Sequence, residues 1–188
     1  MNISITKLLI FLNIIISLKT PFIHDIIKVY EFYTPSNLDI NKPFNLFIPY
    51  FYNSSILSLI TSMYVFNYIG TILEKFYRRT AYCKILFLSF SLTSFIAYML
   101  CLIFKYIFEY SDFYYSSYSG FIPILLCLRM IYFNILNKEL YVHGFLIHSK
   151  NLIWIELLIL NIFDPMHRFY IHLAGILSGN IIYNYFIE

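Results

Sequence analysis

Residues 169–187 read FYIHLAGILSGNIIYNYFI, a stretch without a single Asp, Glu, Lys or Arg. A helix crossing the hydrocarbon layer of a bilayer needs roughly 20 mostly apolar residues, and this run supplies them. Within it, His172, Gly175 and Gly179 follow i, i+3, i+7 spacing and share one helix face. Gly175 and Gly179 form a GxxxG pair, the arrangement that lets a second helix backbone come close. The stretch reads as a membrane span with a glycine-lined contact and an imidazole near its start.

The rest of the chain carries the same signature. Of 188 residues, 60% are hydrophobic and 12% are charged, and the mean hydropathy is +0.71. A soluble domain runs near 45–50% apolar and about 25% charged. So little polar surface cannot coat a water-soluble globule, and it equally excludes a disordered chain. Five further apolar runs cover about 3–23, 53–73, 84–108, 119–136 and 151–164. Lipid requires each span to satisfy its own backbone groups, so all six are expected to be helices. The sequence therefore predicts an all-α membrane protein, a single six-span domain over residues 1–188. The first run lacks a small-residue cleavage site and reads as a signal anchor. Between spans one and two, Ile26, Ile27, Tyr30 and Tyr33 recur at helical spacing against Asp25, Lys28 and Glu31. That pattern predicts a short amphipathic helix near 24–34 in the membrane interface.

Charge and cysteine content narrow the function classes. A net charge of +3, thinly scattered, gives no footprint for nucleic acid. Three cysteines offer neither a disulfide framework nor a CxxC pair. The partner this composition points to is the lipid bilayer. Lys75, Arg78, Arg79 and Lys84 crowd the loop after span two, and Lys138 and Lys150 fall on the same side. By the positive-inside tendency both termini are expected in the cytoplasm, with the loops after spans one, three and five on the far side.

Against 33 Ile, 20 Phe and 19 Tyr, the chain keeps only five Gly and three Ala. Three of those glycines, Gly120, Gly175 and Gly179, flank Ser119 and His172. Spans four and six both enter from the far side, which puts Ser119 and His172 at one depth. If the glycine face of span six meets span four, the imidazole can reach the Ser119 hydroxyl. A serine is a weak nucleophile until an adjacent base takes its proton. The plainer readings are an N-cap for Ser119 and simple packing for the GxxxG pair.

At these residues the chain resembles the rhomboid family of intramembrane serine proteases and their inactive relatives. The family's GxSG motif reads Ser117-Tyr118-Ser119-Gly120 here, and its HxxGxxxG motif runs from His172 to Gly179. Gly70-Thr71-Ile72-Leu73-Glu74 looks like the GxxLE close of the family's second helix. The likeness is best over about 119–183, weaker over 44–80 and absent in the first span, giving a motif-bearing core of about 44–184. It is nearest to the small six-helix rhomboids of the endoplasmic reticulum and their derlin-like relatives. The resemblance implies a six-helix rhomboid-like bundle in the endoplasmic reticulum membrane. It also implies an intramembrane serine endopeptidase with Ser119 as nucleophile and His172 as general base, needing no cofactor and no metal. The alternative it implies is a derlin-type pseudoprotease that binds membrane clients for quality control.

Departures from the family pattern concern the oxyanion and the serine turn. The first glycine of GxSG is Ser117. Family members usually carry His and Asn sixteen and twelve residues before the Glu, positions held here by Ser58 and Ser62. The oxyanion candidates are therefore Ser58, Ser62 and the backbone at Ser119–Gly120. The family's Trp-Arg pair in the first loop reads Phe44-Asn45. Pro123 is compatible with span four only if the helix starts at Gly120 or later. Gly70, Gly175 and Gly179 are the expected helix-packing positions. Arg129 and Glu156 fall at similar depth in spans four and five, which predicts an interhelical ion pair. Glu74 is expected to anchor its helix end through Arg78 or Arg79. His143, His148 and His167 lack metal-ligand spacing and read as loop surface.

Overall fold

A helix that must close all its own hydrogen bonds inside lipid has little choice of form, and the apolar runs obey. The computed structural model describes residues 4–19, 47–53, 55–109, 118–136, 139–142, 145–163 and 168–187. Six helices stand where six spans are predicted: α1 (Ile5–Lys19), α3 (Ile56–Phe76), α4 (Arg79–Ile107), α5 (Ile122–Leu136), α6 (Ser149–Phe163) and α7 (Phe169–Ile182). A one-turn helix, α2 (Ile48–Phe51), precedes α3, and α7 continues as a π-helical turn over Tyr183–Ile187. The fold is an all-α membrane bundle. Among the described residues it is joined by an antiparallel hairpin, β1 (Glu139–Val142) with β2 (Phe145–His148), where Glu139 faces His148 and Val142 faces Phe145. The interfacial helix expected near 24–34, Phe44-Asn45, Ser117, His143 and His167 lie outside the described residues.

Boundaries differ from the hydropathy reading in instructive ways. Only α3, with 21 residues, and α4, with 29, are long and apolar enough by themselves to cross a bilayer among the described residues. The 15-residue helix α5 reaches about 22 Å, short of the 21-residue α3 and 29-residue α4 beside it. Span four opens at Ile122 rather than at Ser119, placing Pro123 at the second helical position, where its missing N–H costs nothing. Helix α3 runs to Phe76 and α4 begins at Arg79, so of Lys75, Arg78, Arg79 and Lys84 only Arg78 lies outside a helix.

α1 runs antiparallel to α3, and polar contacts fix both of its ends. At one end the Glu74 carboxylate accepts hydrogen bonds from Ser4 Oγ (2.6 Å), the Ile5 and Thr6 N–H groups, and Thr6 Oγ1 (2.8 Å). These satisfy orphan donors of the first turn and set a negative charge on the positive helix end. This corrects the expected pairing of Glu74 with Arg78 or Arg79: both arginines are exposed, and neither bonds it among the described residues. At the other end Asn53 Nδ2 donates to Asn13 Oδ1 (3.0 Å), and the Asn53 N–H to Ser17 Oγ (3.2 Å). A Cβ on Gly70 would fall 2.7 Å from Thr6 Cγ2, so α1 rests directly on that glycine.

Helix α7 is the central element. Tyr170, Ile171, His172, Ala174, Gly175, Ile176, Ser178, Gly179 and Ile182 are all buried, covering nearly its whole circumference, as expected of a helix enclosed by neighbours. It packs mainly on α5 and α4. Outward-facing Leu57, Ile60, Phe87, Phe95, Leu158 and Ile162 are exposed apolar side chains, the surface a bilayer would cover. The start of α1 lies beside the end of α3, and Tyr183 at the end of α7 lies near Tyr77. The start of α1 and the end of α7 therefore share a face with the basic loop.

Candidate active site

Two helices can touch only where side chains let their backbones approach, and in lipid that contact carries much of the association. A Cβ on Gly175 would overlap the Pro123 carbonyl oxygen and stand 3.0 Å from its carbon. A Cβ on Gly179 would overlap the Cys127 carbonyl oxygen and stand 2.8 Å from Met130 Cβ. The GxxxG face of α7 is thus pressed against the backbone of α5 along its first two turns. On the other side, Thr93 and Ser178 hydroxyls pair at 2.7 Å between α4 and α7. Such a bond in a membrane is worth about 0.6 kcal/mol on average. The glycine contact, rather than this pair, dominates the placement of α7.

Ser119 sits three residues before α5, outside any helix or strand, and is 9% exposed. His172 is fully buried in the first turn of α7. Tyr118, immediately before Ser119, meets the His172 ring edge-on at 6.0 Å between centroids. The structure therefore brings the serine turn and the histidine to one end of the α5–α7 contact. Ser119 Oγ makes no hydrogen bond among the described residues. Catalytic hydrogen bonds commonly tighten only once substrate binds.

The segment Phe47–Asn53 straps this turn in place. The Gly120 N–H donates to the Pro49 carbonyl at 2.9 Å, and Gly120 adopts φ +134°, open to glycine alone. Tyr50 tilts against Tyr118 at 6.4 Å, and Ser94 Oγ donates to its hydroxyl at 3.3 Å. Burial pushes the Tyr50 phenol well above its ordinary range, the Ser94 contact offsetting only part, so it stays neutral. Phe51 stacks on Phe90 at 5.2 Å, and Phe121 packs edge-on to Phe66 at 4.8 Å. This aromatic layer underlies the strap.

The oxyanion candidates fare unequally. The Gly120 N–H is engaged by Pro49. The buried Ser62 hydroxyl donates to its own helix, to the Ser58 carbonyl at 2.5 Å. Ser58 is half-buried one turn earlier, and its carbonyl is what Ser62 binds. Asn53 is a residue the sequence reading passed over. It is 5% exposed, and its Oδ1 lies 4.0 Å from where a Gly120 Cβ would be. Asn53 Oδ1 and Asn13 Nδ2 are buried without a hydrogen-bond partner among the described residues. An amide turned by 180° exchanges its oxygen and NH2 group with little change in shape. Turning both would keep the Asn13–Asn53 bond and aim an NH2 group at the serine turn.

The model of one family, described as eukaryotic integral membrane protein (DUF1751), matches residues 3–185 of this sequence. The chain belongs to the DUF1751 family. This DUF1751 protein is also 26% identical over 181 residues to the rhomboid-like protein 14, mitochondrial, of Arabidopsis thaliana. The match covers 94% of the chain and 54% of that relative, so the chain spans about half the relative's length. The two matches support a likeness of the DUF1751 chain to the rhomboid-like proteins.

Proposed function

We propose that this protein is a rhomboid-type intramembrane serine endopeptidase that cleaves transmembrane substrates with Ser119 and His172. The observation that supports it best is the shared end of the α5–α7 contact. There Tyr118, the residue next to Ser119, meets the ring of the fully buried His172 edge-on. The imidazole takes the Ser119 proton as Oγ attacks the scissile carbonyl carbon. It then delivers that proton to the departing amine, and water hydrolyses the acyl-enzyme. The Ser119 backbone N–H and an Asn53 amide turned toward Gly120 hold the oxyanion. Donors aimed at developing charge in a dry site are worth about 10²–10³ in rate each.

One reading competes on a specific observation. The Gly120 N–H and the Ser62 hydroxyl are already committed inside the protein, which favours a derlin-type pseudoprotease that binds membrane clients without cutting them. Reconstitution in liposomes with single-span substrates separates the two. Cleavage lost in both Ser119→Ala and His172→Ala supports the protease. Client binding without cleavage, unchanged in Ser119→Ala, supports the pseudoprotease.

For location, we propose the endoplasmic reticulum membrane with both termini in the cytoplasm. The supporting observation is the basic Lys75–Lys84 loop on the face that both helix ends share. The Arabidopsis relative is named as mitochondrial. Fluorescence imaging of a tagged chain against markers for both membranes decides between them.

A further inference from the structure

The junction of α3 and α4 gathers Lys75, Arg78, Arg79 and Lys84, and all four side chains are exposed. No carboxylate pairs with any of them among the described residues. Glu74, the acidic group next to them in sequence, is occupied instead by Ser4, Ile5 and Thr6 at the start of α1. Exposed Lys7, one residue after Thr6, places a fifth cation at the same end of the bundle. Gathered like charges repel one another, so this corner carries a positive field that no protein group answers.

Depth follows from α4 itself. Its 29 residues rise about 44 Å, the thickness of a bilayer with its headgroup regions. Lys84 and Lys105 are about 32 Å apart along this helix and mark the two edges of a hydrocarbon layer about 30 Å thick. Arg79 then lies about 8 Å outside that edge, at the level of headgroup phosphates. On the same helix Tyr82, Ile85, Leu86 and Ser89 are buried, whereas Cys83, Lys84 and Phe87 are exposed, so this face looks outward to lipid. Cys83, Lys84, Phe87 and Leu88 line an open hollow of about 370 Å³, apolar apart from the Lys84 ammonium. An acyl chain fits an apolar hollow open to lipid, and the cations at its mouth then choose the headgroup.

We propose that this corner binds a phospholipid with a multiply phosphorylated headgroup. The acyl chain lies along Phe87 and Leu88, and Lys75, Arg78, Arg79 and Lys84 hold the phosphates. A phosphomonoester carries about −1.5 to −2 charges and three acceptor oxygens. Two of them answer four cations, whereas a headgroup with one net charge leaves most of the field unanswered. Arginine grips phosphate through paired N–H donors and lysine as a point charge. Clusters of four or more such residues directly beside a span are the pattern that anionic headgroups select. The inference needs only the membrane bundle and holds whether or not the protein cuts.

The full-length protein is reconstituted in phosphatidylcholine liposomes with a subsaturating amount of a lipid that carries a photoreactive group on its acyl chain. That lipid is phosphatidylinositol bisphosphate, phosphatidylserine or phosphatidylcholine. The bisphosphate lipid should label most strongly, with adducts within 83–88. Each cation beside an anionic headgroup changes binding about fivefold, so Arg78→Gln/Arg79→Gln should lower that labelling about 30-fold. Lys75→Gln/Lys84→Gln should do the same, and both variants, changed only at exposed positions, should melt as wild type does. Without any variant, raising the salt from about 0.1 to 1 M shortens the Debye length from about 10 to 3 Å and should remove most of the preference. Soluble inositol trisphosphate at matched concentration should leave the labelling in place. Equal labelling by the three lipids overturns the proposal. So does a preference that persists in both double variants or in high salt, that maps away from the α3–α4 corner, or that the soluble headgroup abolishes.

Discussion

Replacing Gly175 by Ala adds one methyl group where α7 meets α5, at 3.0 Å from the Pro123 carbonyl carbon. Carbon atoms pack best at about 3.5–4.0 Å, so the helices must part by about 0.5–1 Å. The obstacle is backbone and cannot rotate away. Overpacking of this kind costs about 1–3 kcal/mol. At about 2–4 °C per kcal/mol for a chain of this size, Tm should fall by about 2–12 °C. Because His172 lies one turn away on the same face, the displacement also reaches the serine turn. Misplacement by about 1 Å can cost about 10²-fold in rate. Thermal unfolding in detergent, followed through thiol reactivity of the buried Cys101 and Cys127, reads the first effect. The rate of fluorophosphonate labelling reads the second. Asn180→Ala, at an exposed position of the same helix, is the control and should stay within about 0.5 kcal/mol of wild type. A Gly175→Ala protein with wild-type Tm and wild-type labelling would refute the claim that the α5–α7 contact sets the site.

Glu74→Ala removes the acceptor of Ser4, Ile5 and Thr6. Hydrogen bonds to a charged group contribute about 1.5–3 kcal/mol. Limited proteolysis should therefore open the N-terminal helix several-fold faster than in Arg78→Ala. Arg129→Leu alone strands the Glu156 carboxylate and should destabilise by several kcal/mol. The Arg129→Leu/Glu156→Leu double variant should unfold near the wild-type temperature in the same melt. Asn53→Ala should slow labelling of Ser119 by about 10²-fold and, by stranding the buried Asn13 amide, also lower stability by about 1–3 kcal/mol. Asn13→Ala should share the loss of stability but keep most of the labelling, separating an oxyanion role from a purely structural one.

The bundle is written in the sequence where physics is local. Apolar runs locate the six helices because a span must be apolar along its whole length. Arg129 and Glu156 were legible as a pair because membrane depth can be counted from a helix end. Contacts set by tertiary proximity left no such trace. Glu74 has Arg78 one turn away, and local spacing favours that partner, yet its carboxylate is claimed by Ser4 and Thr6, about seventy positions earlier in the chain. Likewise, the Gly120 bond to Pro49 and the buried Asn13–Asn53 pair join segments that share no periodicity. Nothing in the sequence marks Asn53, which stands outside α3, five and nine residues before Ser58 and Ser62. The hairpin was readable in principle. Two β-prone runs, ELYV and FLIH, flank His143-Gly144, a spacing typical of a two-residue turn.

The most direct test of the Ser119–His172 dyad is where a fluorophosphonate adds to the intact protein. After reaction in detergent, mass spectrometry of peptides should place one adduct on Ser119, lost in Ser119→Ala and reduced at least about 10²-fold in His172→Ala. An adduct on another residue, or labelling of Ser119 that does not need His172, would contradict the dyad.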